Sequence, residues 1–303
     1  MSPESSPVAH RTVLLHEAIE SLVIQKDDIV VDATLGGAGH SKEIFTHLGA
    51  NGSLIGFDAD RRAIERAEKV LDIHKHNNIR LVNANFRSLD IELDRIGVPR
   101  IDKALFDLGW STFQLHEGRG FSFLSIEPLS MAYADDQALT ADTIVNSWGE
   151  ESLADVIFGW GEERYSRRIA RAIVEAREKA PIKTARELGD LIKAAVPPPY
   201  RFGRIHPATK TFQALRIAVN DELGALKDAL RLAWNRLAPG GRIAVITFHS
   251  IEDRLVKQQF VAWEAEGNGS RVPKKAIAPS KEEVKANPRA RSAKLRIIEK
   301  KLI

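Results

Sequence analysis

The sequence predicts an α/β protein: a doubly wound, mostly parallel, Rossmann-like sheet interrupted by an inserted all-α domain. Three observations carry this reading. Strand-like apolar runs alternate with helical stretches through residues 27–109, the rhythm of repeated βα units. VVDATLGGAGHS, at 30–41, has the shape of a strand that ends in a glycine-rich loop and opens a helix. After Gly109 the alternation stops, and it resumes only with RIAVITF at 242–248.

Each element has a local reason. DDIVVDAT is apolar on both faces, as a buried parallel strand must be, and HSKEIFTHLGA follows as a helix. GSLIGFDAD is the second strand, RRAIERAEKVLDI an amphipathic helix ending in polar HKHNN, IRLVNANF the third strand and IDKALFDLG the fourth. Residues 113–204 hold no convincing strand but several helical stretches: LTADTIVNSW, EESLADVIFGW, ERYSRRIARAIVEAREK and TARELGDLIKAAV. PPPYRFGRIHP reads as a stiff, helix-breaking connector. TFQALRIAVNDELGALKDALRLAWNRL then reads as one long helix, PGG as a turn and RIAVITF as the fifth strand. EDRLVKQQFVAWEAE is a further helix and SAKLRIIEKKLI a terminal strand. The expected division is an α/β domain from residues 1–112 and 205–303, with a helical insertion at 113–204 for substrate recognition.

No apolar run approaches the roughly 20 residues of a membrane helix, and MSPESSPVAH lacks the apolar core of a signal peptide. A cytoplasmic protein without a membrane partner is expected. The chain has no cysteine, which removes disulfides, thiolate metal sites and cysteine nucleophiles; no metal is expected. From Arg271 to the end there are eleven Lys/Arg against three Glu, so this segment is +8 and residues 1–270 carry −5. Such asymmetry suggests either a polyanion partner or a solvated tail. The insertion is polarised too: residues 113–163 have ten acids and one base, whereas 164–204 have eleven bases and four acids. Arg164, Arg167, Arg168 and Arg171 fall at helical spacing, either a solvated face or a nucleic-acid stripe. With Arg201, Arg204 and the basic tail, they are the groups expected on phosphates if the partner is a nucleic acid.

The glycine loop discriminates among cofactors. A dinucleotide fingerprint G-x-G-x-x-G fails whether begun at Gly36, where Ala38 takes the second glycine's place, or at Gly37, where Lys42 takes the third's. No Walker lysine follows either. S-adenosylmethionine (SAM) has no phosphate and needs other partners: an acceptor for its ammonium, an acid for its ribose and room for its methionine chain. Asp32 ends the first strand and can serve the loop or the ammonium. Asp58 ends the second at the spacing of a ribose-binding acid; Asp60 is the competitor, better suited to capping the next helix. Phe86, ending the third strand, is placed for an adenine face or for the core. Asp107 ends the fourth, beside the crevice where such sheets bind ligands. PGGRIAVITF is a common feature of SAM-dependent methyltransferases.

Taken together these segments resemble the bacterial 16S ribosomal RNA cytosine N4-methyltransferases, class I SAM-dependent enzymes that modify a cytidine of the small-subunit decoding region. The likeness is carried by HRTVLLHEAIESL, DATLGGAGHS, DLGWSTFQL, RGFSF, GEERYSRRIARAIVEAR, HPATKTFQALRIAVNDEL, LAPGGRIAVITFHSIEDRLVK and NPRARSAKLR, in that order from residue 10 to about 296. It implies the class I fold, SAM as cofactor, and 16S ribosomal RNA or the small ribosomal subunit as partner; a homodimer stays open. The implied cofactor contacts are Ala38, Gly39, His40, Asp58, Phe86, Asp107 and Gln114. This chain departs from the family at Ala38, which replaces a loop glycine and is strained unless its φ is negative. It departs again at Trp110 and Phe113, and at Ser130, Ala132 and Ala134 in PLSMAYA.

Without cysteine, methylation at cytosine carbon 5 through a covalent adduct is closed. Transfer to the exocyclic amine needs only alignment, which can contribute roughly 7–11 kcal/mol, and an acceptor that turns the amine's lone pair toward the methyl group. Asp107 is the catalytic candidate, with a pure cofactor contact as its alternative. Ser111 and His249 are candidates for shaping the base pocket, a structural role being the alternative for His249. Three rivals remain: a SAM-dependent enzyme acting on a small molecule, a nicotinamide dehydrogenase disfavoured by the loop, and a non-catalytic RNA-binding or assembly factor of the same fold.

Overall fold

The computed structural model describes residues 11–109 and 118–302. Trp110, Ser111, Phe113 and Gln114 lie outside the described residues. The chain divides into two compact units, residues 1–111 with 223–303, and residues 112–222.

The first unit is built on seven strands: β1 (Ile29–Asp32), β2 (Ser53–Asp58), β3 (Ile79–Asn83), β4 (Ile101–Asp107), β5 (Leu237–Thr247), β6 (Gly269–Arg271) and β7 (Lys294–Lys300). Their order is β3-β2-β1-β4-β5-β7-β6. The five strands from β3 to β5 run parallel, and β7 is antiparallel to both of its neighbours. Order reverses at β1, where the chain leaves for β2 on one side and later for β4 on the other. That is the switch point at which doubly wound sheets open a ligand crevice.

Both faces are covered, which explains why the strands read as continuous apolar runs. Val31, Ile55, Phe57, Ala104, Phe106 and Val245 pack on one face with helices α4 (Leu89–Arg95), α11 (Glu222–Arg236) and α12 (Ser250–Ala265). Val30, Leu54, Leu105, Ala244, Ile246 and Leu295 pack on the other with α1 (Leu15–Leu22), α2 (Gly39–His47) and α3 (Arg61–Val70). No helix among the described residues is long and apolar enough to cross a membrane.

The second unit is helical: α5 (Ala141–Ser147), α6 (Glu150–Gly161), α7 (Ser166–Arg177), α8 (Ala185–Ala195), α9 (Pro198–Arg201) and α10 (Thr209–Asn220). Thr140 caps α5 through Thr143 N, and Thr184 with Glu187 forms a reciprocal capping box on α8. Ile144, Leu153, Ile157, Ile169, Ile173, Leu188 and Ile192 form its core.

Four expectations are corrected. PPPYRFGRIHP is not wholly a helix breaker: proline is tolerated in a first helical turn, and α9 starts there from Pro197. The long helix expected after it is two. α10 buries Phe212, Leu215, Ala218 and Val219 in the helical core, the chain turns at Asp221 with φ +44°, and α11 buries Leu226, Leu230 and Trp234 against the sheet. The second boundary therefore falls after Glu222, not after residue 204. PGG is not a free turn but a bulge inside β5: Ile101 pairs with Leu237, and the register then jumps to Lys103 with Arg242. Gly240 sits at φ +76°, and a Cβ on Gly241 would lie 2.6 Å from the Asp102 carbonyl oxygen. Finally, the basic C-terminal segment is no solvated tail, because β7 is an interior strand. α13 (Lys281–Ala286) precedes it.

Candidate cofactor site at the strand ends

Three acids meet at the carboxyl edge of the sheet because the register brings them there. Asp32 pairs with Gly56 of β2 and with Leu105 of β4, so Asp58 and Asp107 each lie two residues beyond it on adjoining strands. None is hydrogen-bonded to a lysine or arginine in the described contacts, although the charge of Arg66 acts on Asp58. Asp32 is buried; Ser41 Oγ donates to its Oδ2 at 2.6 Å, and Thr34 N to its Oδ1 at 3.1 Å. Loss of hydration outweighs these bonds and pushes its pKa up to about 7. Asp58 accepts from Gly36 N at 2.9 Å and from Asp60 N at 2.8 Å, fastening the loop to β2. Burial again dominates and raises it to about 6. Asp107 is held by its own N–H, which donates to Thr34 Oγ1 at 2.7 Å. Burial first, then the neighbouring Asp32 and Glu252, pushes its carboxyl well above the usual range. Its Oδ1 is buried without a hydrogen-bond partner among the described residues.

The glycine loop joins β1 to α2. Ala38, the N-cap of α2, sits at φ +59°, ψ 21° and is fully buried, so the atypical residue of the loop occupies the left-handed conformation that strains alanine. Gly39 is required by a close approach, since a Cβ there would lie 1.8 Å from Thr12 Oγ1. His40 is buried, with Nε2 3.1 Å from the Val13 carbonyl oxygen and Nδ1 3.5 Å from Asp107 Oδ2. The loop thus places His40 beside Asp107 and Gly36 beside Asp58.

Other predictions resolve differently. Asp60 caps α3 through Arg62 N at 3.0 Å, as expected. Phe86 does not end β3; it opens a short 3-10 turn at Phe86–Ser88 and meets Phe106 edge-on, ring centroids 5.9 Å apart. His249 caps α12: its Nδ1 accepts from Glu252 N at 3.3 Å, and Glu252 Oε2 accepts in return from Phe248 N and His249 N. That geometry favours the structural alternative for His249. Sequence reasoning missed Thr34, Ser41 and Glu252, which orient or charge the acids. The hydroxyls sit two and nine residues after Asp32, a spacing meaningful only once the loop is folded.

The cationic surfaces also sort themselves. Arg164, Arg167, Arg168 and Arg171 of the helical unit are all exposed. The Arg164 guanidinium lies over Tyr165 and Tyr200, 4.7 and 5.0 Å from the ring centroids, and Arg171 is 3.5 Å from Glu150. Arg201 is turned inward to the Ala194 and Val196 carbonyls, whereas Arg204 is exposed. In the C-terminal segment, Asp253 takes Arg296 Nε at 2.7 Å and Lys294 Nζ at 2.8 Å. Arg271 is held by Glu264, and Lys300 by the Trp234 and Leu237 carbonyls. Part of the +8 segment is therefore structural.

The MraW methylase family model matches residues 7–301. The chain belongs to that family. Among its relatives is a protein of Paenibacillus sp. (strain JDR-2) named Ribosomal RNA small subunit methyltransferase H, 47% identical over 313 aligned positions, covering 96% of this chain and 99% of the relative. A protein of the same name from Clostridioides difficile (strain 630) is 43% identical, covering 96% and 98%. Among solved structures, an rRNA methylase from Streptococcus thermophilus is similar with TM-score 0.47 and 13% identity, covering 97% of this chain and 100% of that one.

Proposed function

We propose that this chain is a SAM-dependent methyltransferase of small-subunit ribosomal RNA, transferring a methyl group to the exocyclic N4 amine of a cytidine in 16S rRNA. The observation that carries the reading is the row of acids at the switch point, on a loop without a pyrophosphate fingerprint, in a MraW-family chain whose full-length relatives bear a ribosomal RNA methyltransferase name.

The residues present fit SAM. The carboxylates suit its ammonium and ribose hydroxyls, and the Oδ1 of Asp107 is a buried acceptor without a donor among the described residues. SAM supplies an electrophilic methyl group on a sulfonium. Asp58 holds the ribose, Phe86 offers a ring to the adenine, and the backbone of Ala38, Gly39 and His40 lines the methionine chain, with Gln114 as a further contact. Asp107 receives an N–H of the target amine and turns its lone pair toward the methyl group. Ser111 is proposed at the wall of the base pocket, and His249 as the cap of α12. The target cytidine must be unstacked, since pairing occupies its amine. The helical unit is assigned to substrate recognition, with Arg164, Arg167, Arg168 and Arg204 on phosphates. The setting is the cytoplasm, where the small subunit is assembled.

The test is to offer labelled SAM with small subunits, with naked 16S RNA and with no RNA, then to identify the product by nucleoside mass spectrometry. Label in N4-methylcytidine only when RNA is present is expected. Label without RNA would favour a small-molecule substrate, and no label under any condition a non-catalytic factor.

A further inference from the structure

Asp107 poses a problem that the fold answers. As an acceptor for an amine N–H it must present a carboxylate, yet its surroundings favour the protonated acid. Among the described residues, Oδ1 is buried without a hydrogen-bond donor. Of the side chains facing it, Asp32 of β1 and Glu252 of α12 are acids that repel a second charge. Asp58 of β2 in turn acts on Asp32 in the same sense. Among the described residues, the neighbouring group that can take a proton and become positive is His40 of α2, with Nδ1 3.5 Å from Asp107 Oδ2.

The state of that imidazole follows from its other nitrogen. Nε2 lies 3.1 Å from the Val13 carbonyl oxygen, and a carbonyl only accepts, so Nε2 carries hydrogen. In the neutral ring Nδ1 then bears a lone pair, and it faces Asp107. Two facing acceptors repel unless one proton lies between them. The ring is 5% exposed, so water does not substitute for that proton. The separation is longer than a formed hydrogen bond, as is common in catalytic pairs before substrate tightens them.

We infer that His40 is a positioning residue for methyl transfer: Nδ1 takes the proton of Asp107, leaving a carboxylate that receives the N–H of the substrate amine. The balance is simple. The proton moves from Oδ2 to Nδ1, giving an imidazolium beside a carboxylate. In the transfer step the amine nitrogen forms its bond to carbon as the sulfur–carbon bond breaks with its electron pair to sulfur, and the proton the nitrogen sheds passes to Asp107. The inference rests on the assignment of Asp107 to the amine. It adds that the loop histidine sets the charge of that acid.

The variant His40→Gln tests it, because a glutamine amide can still donate to the Val13 carbonyl but cannot take a proton. Three readouts are needed: SAM affinity by calorimetry, the kcat–pH profile, and the titration of His40 in the free protein by imidazole 15N NMR. The expected result is a SAM Kd within about twofold of the parent, with kcat at least tenfold lower. Without the imidazole Asp107 holds its proton to higher pH, so the acid limb of the profile moves up by about one pH unit. In Asp107→Asn the His40 midpoint falls by a similar amount, since its anionic partner is gone. A purely structural histidine would lower SAM affinity and kcat together with the acid limb in place, and that outcome overturns the inference. A His40 midpoint unchanged in Asp107→Asn overturns it as well. Full transfer by Asp107→Asn would instead remove the assignment of Asp107 to the amine, a failure distinct from that of the pair.

Discussion

Two sets of buried acids within the sheet unit have opposite surroundings. At the switch point Asp32, Asp58 and Asp107 are met by hydroxyls, backbone N–H groups, one histidine and, at a distance from Asp58, Arg66, and burial raises all three. Asp253, one turn into α12, is met by Arg296 and Lys294 of β7. Burial pushes its pKa up as well, but the two cations outweigh it and hold the group below its ordinary value. The same residue type serves two ends. A cation-paired acid joins a helix to a strand, whereas acids at a strand edge without a hydrogen-bonded lysine or arginine store an electrostatic cost that a ligand can relieve. The helical unit follows the paired pattern. Its half-buried Glu222 takes Arg216 at 2.7 and 2.9 Å, and its buried Glu163 takes the Tyr200 hydroxyl at 2.5 Å.

This contrast can be broken at several points. The largest effect is expected at Asp107→Asn, where methyl transfer falls by about a hundredfold or more while the fold and SAM binding persist, read by single-turnover transfer and calorimetry; this size is that of losing one charged contact in the transition state. Next comes Asp253→Asn, which leaves Arg296 buried without its partner and lowers unfolding free energy by about 3 kcal/mol, measured by denaturant titration. The sign with pH is set by its depressed pKa. The stabilisation of Asp253 is present above the unfolded value of about 4 and disappears as pH falls through the folded value, so the variant flattens the acid limb of stability. The strand-edge acids behave oppositely. Their folded pKa values are raised, so the ligand-free protein gains stability as pH falls through about 7 for Asp32 and about 6 for Asp58. Thermal melts between these values check it.

Smaller effects follow on the surface and in the loop. Charge reversal at Arg167 and Arg168 should weaken RNA binding uniformly and reduce its salt slope by about one per lost phosphate contact. Reversal at Lys294 should instead register as instability, because that lysine is spent on Asp253. Ala38→Gly relieves a left-handed alanine and should raise stability by about 1 kcal/mol or less, the gain being partly offset by glycine's freedom in the unfolded chain.

How much was legible in the sequence divides along the same line. The buried strands announced themselves because both of their faces are apolar, and Asp58 and Asp107 because strand ends in such sheets face the crevice. The break between α10 and α11 was hidden: Asp221 turns the chain without a glycine or proline to mark it. β6 has three residues and no periodicity to detect. Counting charges overstated the C-terminal segment, since a count does not show that Asp253 and Glu264 absorb three of its cations. The roles of Ser41 and His40 depend on side chains meeting across the loop. The histidine was found through resemblance, and its partner only through geometry.

The central claim is that the strand-edge acids, and not the cation-paired Asp253, form the site of methyl transfer, with Asp58 holding SAM. A single calorimetric comparison addresses it most directly, titrating SAM into the parent, Asp58→Asn and Asp253→Asn at a temperature where all three are folded. Losing charged hydrogen bonds to the ribose is worth about 3 kcal/mol, so Asp58→Asn should weaken binding by about a hundredfold, while Asp253→Asn stays within about twofold of the parent. Unchanged affinity in Asp58→Asn, or a greater loss in Asp253→Asn, would contradict the account.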